Sequence, residues 1–215
     1  MTKAISFDLW KTLISKNLKF NREKCKLIRK SFRLSASDDY ILNAFKRSDK
    51  LLDRLQEQFL IQPDCLTSWA IVLDEIGLQN TNAGKIEAFV QNYNQLFLEF
   101  QPVLFDDVEF LFEKLFKIEK LKLYLLSNTI LVGGEILDKF IKTTILKNIE
   151  AFYSDSYFPK PDSRVFEMLT NKPMIHVGDN LLTDGSCTKL DIEFYQVRSN
   201  GKSLVDFWQY IEPKL

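Results

Sequence analysis

The chain has one histidine among its 215 residues, and that scarcity excludes a good deal. His176 has no second imidazole with which to share a metal, so neither an HExxH pair nor a related zinc-hydrolase arrangement is available. The three cysteines, Cys25, Cys65 and Cys187, are odd in number and far apart, with no Cys-x-x-Cys spacing, and are expected to be reduced, buried thiols. No apolar run approaches the roughly 20 residues that a membrane-crossing helix needs. The first residues, Met1 to Asp8, lack the basic region and long apolar run of a signal peptide, so a cytoplasmic protein with no membrane partner is expected. Net charge is missing too: 29 basic side chains cancel 29 acidic ones. That removes the bulk electrostatic case for a nucleic-acid or membrane-surface binder. Any charged partner is met locally.

What is present is a globular composition. Hydrophobic residues make up 46% and aromatics 13%, with 18 phenylalanines, which excludes a disordered or low-complexity chain. The length suits a core domain with a smaller companion.

Residues 3 to 8 read as a short apolar strand ending in a carboxylate. Leu121 to Leu126, Met174 to Val177 and Ile192 to Val197 are further apolar runs, as expected of a parallel sheet covered on both faces. Helical periodicity lies between them at Val108 to Phe116, Glu135 to Phe140, Arg164 to Leu169, Leu182 to Leu190 and Leu204 to Tyr210. The alternation predicts a doubly wound, mostly parallel α/β domain, whose ligand crevice lies at the carboxyl ends of the strands. Residues 19 to 100 break the pattern with four helix-like stretches, Phe20 to Phe32, Asp38 to Phe59, Cys65 to Ile76 and Gly84 to Phe100. They read as a helical insertion, with Pro102 interrupting the last helix.

Four polar sites fall at strand ends or before a helix: Asp8-Leu9-Trp10-Lys11-Thr12, Ser127-Asn128-Thr129, Lys160-Pro161-Asp162, and Gly178-Asp179 through Asp184. Singly, each has a bland reading. Asp8 or Asp184 serves as well as a helix-cap or first-turn carboxylate, Ser127-Asn128 as a turn after a strand, and Lys160 as an ordinary lysine before proline. A doubly wound sheet brings all four to one edge. Together they supply the parts of phosphoryl transfer through an aspartyl-phosphate.

In order and strand context these residues resemble the four motifs of the haloacid-dehalogenase-like (HAD) hydrolase superfamily. The likeness covers nearly the whole chain, because that family commonly inserts a helical cap after its first motif; Pro102 to Phe105 resembles the re-entry to the core. The resemblance implies a Rossmann-like core at 1–14 and 101–215 and a helical cap at 15–100. It implies Asp8 as nucleophile, with Lys160 and Ser127 assisting. Thr12, Ser127, Asn128 and Lys160 bind the phosphoryl group, Thr12 alternatively holding the loop's backbone. Mg²⁺ is held by Asp8, the Trp10 carbonyl and Asp179, with Asp184 orienting these ligands from behind. The implied partner is a small phosphorylated metabolite, and the implied state a monomer or homodimer.

The pattern departs at two positions. Family phosphatases carry a second Asp where this chain has Trp10, and an indole neither takes up nor releases a proton at neutral pH. Losing such an acid-base group costs about 10²- to 10⁴-fold in rate. Impaired turnover is therefore expected, and a dehalogenase-like hydrolase or a non-catalytic phosphate-binding regulator stand as alternatives. Gly178-Asp179 favours the metal-dependent phosphoryl site over carbon–halogen chemistry. Lys11 stands where many relatives have Gly or Asn, and a positive φ there would strain it by about 1 kcal/mol. His176, inside a predicted strand, reads as a buried structural residue. The basic stretch Lys16 to Arg33 reads as a solvated helix surface.

Overall fold

The computed structural model describes residues 3–215. Strand β1 (Lys3–Asp8) is the middle of a five-stranded, wholly parallel sheet. Its neighbours are β4 (Leu121–Ser127) and β6 (Ile175–Gly178), with β5 (Glu150–Tyr153) and β7 (Glu193–Gln196) outside them, giving the order β5-β4-β1-β6-β7. The centre of the sheet has to be apolar on both faces. Ala4, Ile5 and Phe7 are buried, and Phe7 packs against Phe112 and Phe207 with ring centroids 5.1 and 5.9 Å apart. Those rings come from α5 (Asp106–Leu115) and α8 (Leu204–Ile211), which close one face. Burying each such ring contributes roughly 1.5–3 kcal/mol.

Between β1 and the rest of the sheet the chain makes four helices: α1 (Phe20–Phe32), α2 (Asp38–Phe59), α3 (Cys65–Glu75) and α4 (Ala83–Glu99). Local chemistry fixes three of their starts. Ser37, Asp64 and Asn82 each accept the main-chain N–H three residues on, satisfying an orphan donor. Aromatic packing joins the bundle, with Trp69 against Phe45, Phe89 and Tyr93 at 5.8, 4.8 and 4.4 Å. The two passages between sheet and helices run side by side: β2 (Ile14–Ser15) pairs antiparallel with β3 (Val103–Leu104), and Asn17 Nδ2 donates to the Gln101 carbonyl at 3.2 Å.

Several sequence expectations are corrected. The edge strand β5, flanked by charged and aromatic residues, was not expected from the sequence. Helicity after Arg164 is one short turn, α7 (Arg164–Glu167), and Asp184–Leu190 is 3-10 rather than α-helix, because hydroxyls of Ser186 and Thr188 bond carbonyls three residues back. Cys65 is only half buried, since its thiol lies at the edge of α3 against the Leu131 carbonyl. Lys24, expected on a solvated face, is buried against α2. No helix is long and apolar enough to cross a membrane among the described residues.

Candidate active site

Asp8 is the last residue of β1, in register with Leu126 one residue before the end of β4. The chain then turns sharply: the Lys11 N–H donates to the Ile14 carbonyl at 2.8 Å, and those of Leu13 and Ile14 return to the Leu9 carbonyl. Closing that turn requires a left-handed residue, and Lys11 adopts φ 60°. The Trp10 carbonyl accepts no main-chain hydrogen bond within the described chain. Arg198 clamps the turn from outside, its Nε and Nη2 donating to the Thr12 carbonyl at 3.2 Å while the same guanidinium forks onto Asp107.

The buried Lys160 ammonium lies between two carboxylates, donating to Asp8 Oδ1 at 2.7 Å and to Asp184 Oδ1 at 2.5 Å. Asn128 fixes the lysine backbone through a reciprocal pair, its Oδ1 accepting from the Lys160 N–H and its Nδ2 donating to the Lys160 carbonyl, both at 2.8 Å. Asp184 also accepts the Asn180 N–H at 3.0 Å. Its nearness to the strand end explains Gly178: a Cβ there would lie 2.6 Å from the Asp184 Cβ.

Burial shapes the electrostatics. It raises the Asp8 pKa; Lys160 opposes this, while Asp184 and Asp179 reinforce it. It would also raise Asp184, but Lys160 and the His176 hydrogen bond hold that carboxyl well below the usual range. Burial alone would lower Lys160, yet Asp184 and Asp8 keep it firmly protonated. Asp179 is raised by burial and by Asp184, with the Lys11 charge acting the other way.

Asp8, Asp179 and Asp184 each bring a carboxylate oxygen within 4.8 Å of the other two. Three carboxylates against one ammonium leave an excess of negative charge, and the donors are hard oxygens, so the cluster fits a divalent cation. The open lone pairs are those of Asp179 and the Trp10 carbonyl, together with what Asp8 can share. Asp184 is taken up by Lys160 and the Asn180 N–H.

Each candidate from the sequence has a definite place. Asp8, Lys160, Asp179 and Asp184 converge. Ser127 is buried beside them, its hydroxyl making only a 3.3 Å bond to the Asn128 carbonyl. The Asn128 side chain is spent on Lys160, but its main-chain N–H takes no part in the backbone network. Thr12 is fully buried and donates to Asp8 Oδ2 at 2.9 Å, so its hydroxyl holds that carboxylate.

His176 is buried, as expected, but its link to Asp184 and the contribution of Gln56 were not foreseen. His176 pairs in register with Ser6, whose Oγ lies 2.9 Å from Nδ1, and its Nε2 lies 3.4 Å from Asp184 Oδ1. Burial lowers its pKa and keeps it neutral. Its place in a strand two residues before Gly178 was the available signal. Gln56 of α2 is buried, meeting Asn128 at 3.4 Å and the Thr129 carbonyl at 3.4 Å, and nothing in the sequence pointed to it.

A parallel sheet with β1 at its centre, an acidic carboxyl edge and helices inserted straight after the first strand make a Rossmann-like α/β fold with a helical insertion. No protein-family model matches the sequence, and no curated protein matches it. Solved structures do. YfnB of Bacillus subtilis, described as a HAD-hydrolase and bound to magnesium, superposes with a TM-score of 0.74 at 18% identity, over 98% of this chain and 99% of that one. A 2-haloacid dehalogenase of Pseudomonas syringae pv. Tomato gives 0.60 at 17% identity, over 94% and 89%. A protein of Thermotoga maritima assigned as a beta-phosphoglucomutase gives 0.61 at 14%, over 95% and 90%. The chain has the fold these proteins share.

Proposed function

We propose that this chain is a Mg²⁺-dependent phosphohydrolase or phosphotransferase of the HAD type, acting on a small phosphorylated metabolite through an aspartyl-phosphate on Asp8. The observation that carries the reading is the Lys160 ammonium held between Asp8 and Asp184 at the end of three parallel strands, with Asp179 alongside. Asp8, Asp179 and the Trp10 carbonyl would hold the ion, which when bound supplies charge neutralisation for the phosphoryl dianion.

The chain's own groups do the rest. Thr12 and Lys160 fix the Asp8 carboxylate, one on each oxygen, so it is presented in a single orientation. An Asp8 oxygen attacks phosphorus as the bond to the leaving oxygen breaks. Lys160, the Ser127 hydroxyl and the free Asn128 N–H balance the charge on the phosphoryl oxygens. The leaving alkoxide takes its proton from water, because Trp10 has none to give, and water must then attack the acyl-phosphate without a base at that position. Asp184 and the neutral His176 keep Lys160 charged and in place. Residues 15–100 act as the cap and 1–14 with 101–215 as the core, a division supported by the paired crossings at β2 and β3.

The test is a panel of phosphorylated metabolites assayed with Mg²⁺ and with chelator, on the wild type and Asp8→Asn. Mg²⁺-dependent phosphate release that Asp8→Asn abolishes is expected; release that survives in the folded variant sinks the assignment of the nucleophile. Trp10 favours one further reading, a protein that binds the phosphorylated ligand without turning it over, and tight Mg²⁺-dependent binding with no release would select it.

A further inference from the structure

The buried stripe of α2 runs through Ile41, Ala44, Phe45, Ser48, Leu52 and Gln56, the spacing of one helix face. An apolar side chain would suit its last position, yet an amide stands there, 3% exposed. Ser48, the other polar residue of the stripe, is satisfied within its own helix, its hydroxyl donating to the Ala44 carbonyl at 3.0 Å. Gln56 is not. A buried amide destabilises a fold unless its polar atoms find partners, and those of Gln56 lie off the helix. Its Nε2 donates to Gln62 Oε1 at 2.7 Å and to the Thr129 carbonyl at 3.4 Å, and its Oε1 accepts from Asn128 Nδ2 at 3.4 Å. Gln62, just beyond α2, donates to the same Thr129 carbonyl at 2.7 Å.

The segment after β4 that receives these bonds has other anchors, but not at Asn128. The Thr129 N–H donates to Ser154 Oγ at 2.7 Å, and the Thr129 hydroxyl accepts the Asp155 N–H at 3.0 Å. Further on, Trp69 Nε1 and Cys65 Sγ of α3 donate to the Leu131 carbonyl at 3.1 and 3.5 Å. The Asn128 side chain reaches only the Lys160 backbone and Gln56 among the described residues. Its Nδ2 has two hydrogens: one goes to the Lys160 carbonyl at 2.8 Å, the other to Gln56. Gln56 is therefore the outer end of a relay that runs through Asn128 and the Lys160 backbone to the ammonium between Asp8 and Asp184.

We propose that Gln56 is a positioning residue. By holding Asn128 from the inserted helices it sets where Lys160, the Ser127 hydroxyl and the Asn128 N–H stand, so the phosphoryl site is complete only while α2 is docked on the sheet. This rests on the reading of Asp8 as the phosphoryl acceptor. It gives the buried amide a purpose that packing does not, since packing alone is served as well by a hydrocarbon.

The test replaces Gln56 by methionine, which fills the stripe with an unbranched apolar chain and makes none of the three bonds. If Gln56→Met does not fold, Gln56→Leu is read the same way. Inorganic phosphate, titrated with Mg²⁺ present and followed by NMR, should bind the folded variant about three- to tenfold more weakly than wild type. Hydrogen exchange of the Lys160 N–H, which donates to Asn128 Oδ1, should quicken by a similar factor. A role through Asn128 also predicts non-additivity: in an Asn128→Ala background, Gln56→Met should change phosphate affinity little further. A merely structural role predicts equal weakening in both backgrounds, and that result overturns the proposal, as does wild-type phosphate affinity in Gln56→Met. If wild type binds no phosphate, the Asp8 reading falls instead, and Lys160 exchange unchanged by Gln56→Met would separately overturn the role of Gln56.

Discussion

The indole of Trp10 meets the ring of Phe97 nearly edge-on, with centroids 6.3 Å apart, so the residue two places after Asp8 belongs to the packing between the turn after Asp8 and α4. On the function proposed for Asp8, Trp10 would stand where an acid-base group otherwise acts. Trp10→Asp should speed turnover of a generic phosphomonoester with Mg²⁺ dependence intact. It should also lower stability by a few kcal/mol, since a large ring is removed from a packed position. Steady-state kinetics on protein shown to be folded are the measure; a folded variant no faster than wild type removes the limiting role given to Trp10.

Mg²⁺ should stabilise the protein by occupying the site between Asp8 and Asp179. At 100 times its Kd a ligand adds about 2.7 kcal/mol, which for a chain of this size raises Tm by roughly 5–10 °C. Asp179→Asn should lose most of that rise while folding normally. Thermal melts with Mg²⁺ and with chelator decide it, and an equal rise in the two proteins would exclude Asp179 as a ligand.

Gly178 is required by the closeness of Asp184. Gly178→Ala places a methyl group 2.6 Å from the Asp184 Cβ, and Asp184 has little freedom to retreat because its N–H is bonded to the Asn180 carbonyl at 2.9 Å. The expected cost is about 1–3 kcal/mol in denaturant unfolding, as for other overpacked sites. Activity should fall as well, because Lys160 loses its second carboxylate. Wild-type stability together with wild-type kinetics would show that the contact is unimportant.

The Arg198–Asp107 fork holds the turn after Asp8, and it is sensitive to acid. Burial alone would raise the Asp107 pKa, but the Arg198 hydrogen bonds and the Leu204 N–H bring it below the ordinary value of 3.8. A carboxyl depressed in the folded state contributes stability above its unfolded pKa, and that contribution is lost as pH falls through the folded value. Asp107→Asn should therefore be less stable than wild type at pH 7, the gap narrowing only below about pH 4. Urea midpoints between pH 7 and pH 2.5 measure it; a gap independent of pH would mean the charge of Asp107 is not what matters.

The sequence by itself determined the alternation of strands and helices, the helical insertion, and the four polar sites at strand ends or before a helix. Each of these follows from local patterning: apolar runs too short for helices, stretches of helical periodicity, and carboxylates where a strand stops. Lys11 drew notice only through the family resemblance, and its left-handed backbone is a fact of the structure. Only the tertiary structure decided which groups meet. That Asn128 grips the Lys160 backbone 32 residues away, and that His176 lies across the sheet from Ser6, 170 residues away, follow from how the parallel strands pair, which local patterning does not encode. Lys24 was misplaced for a different reason: Phe20 and Ile28, one turn to either side of it on α1, are buried and mark the apolar face, but the basic residues around it read as a solvated surface, and its ammonium lies against the Phe45 ring of α2.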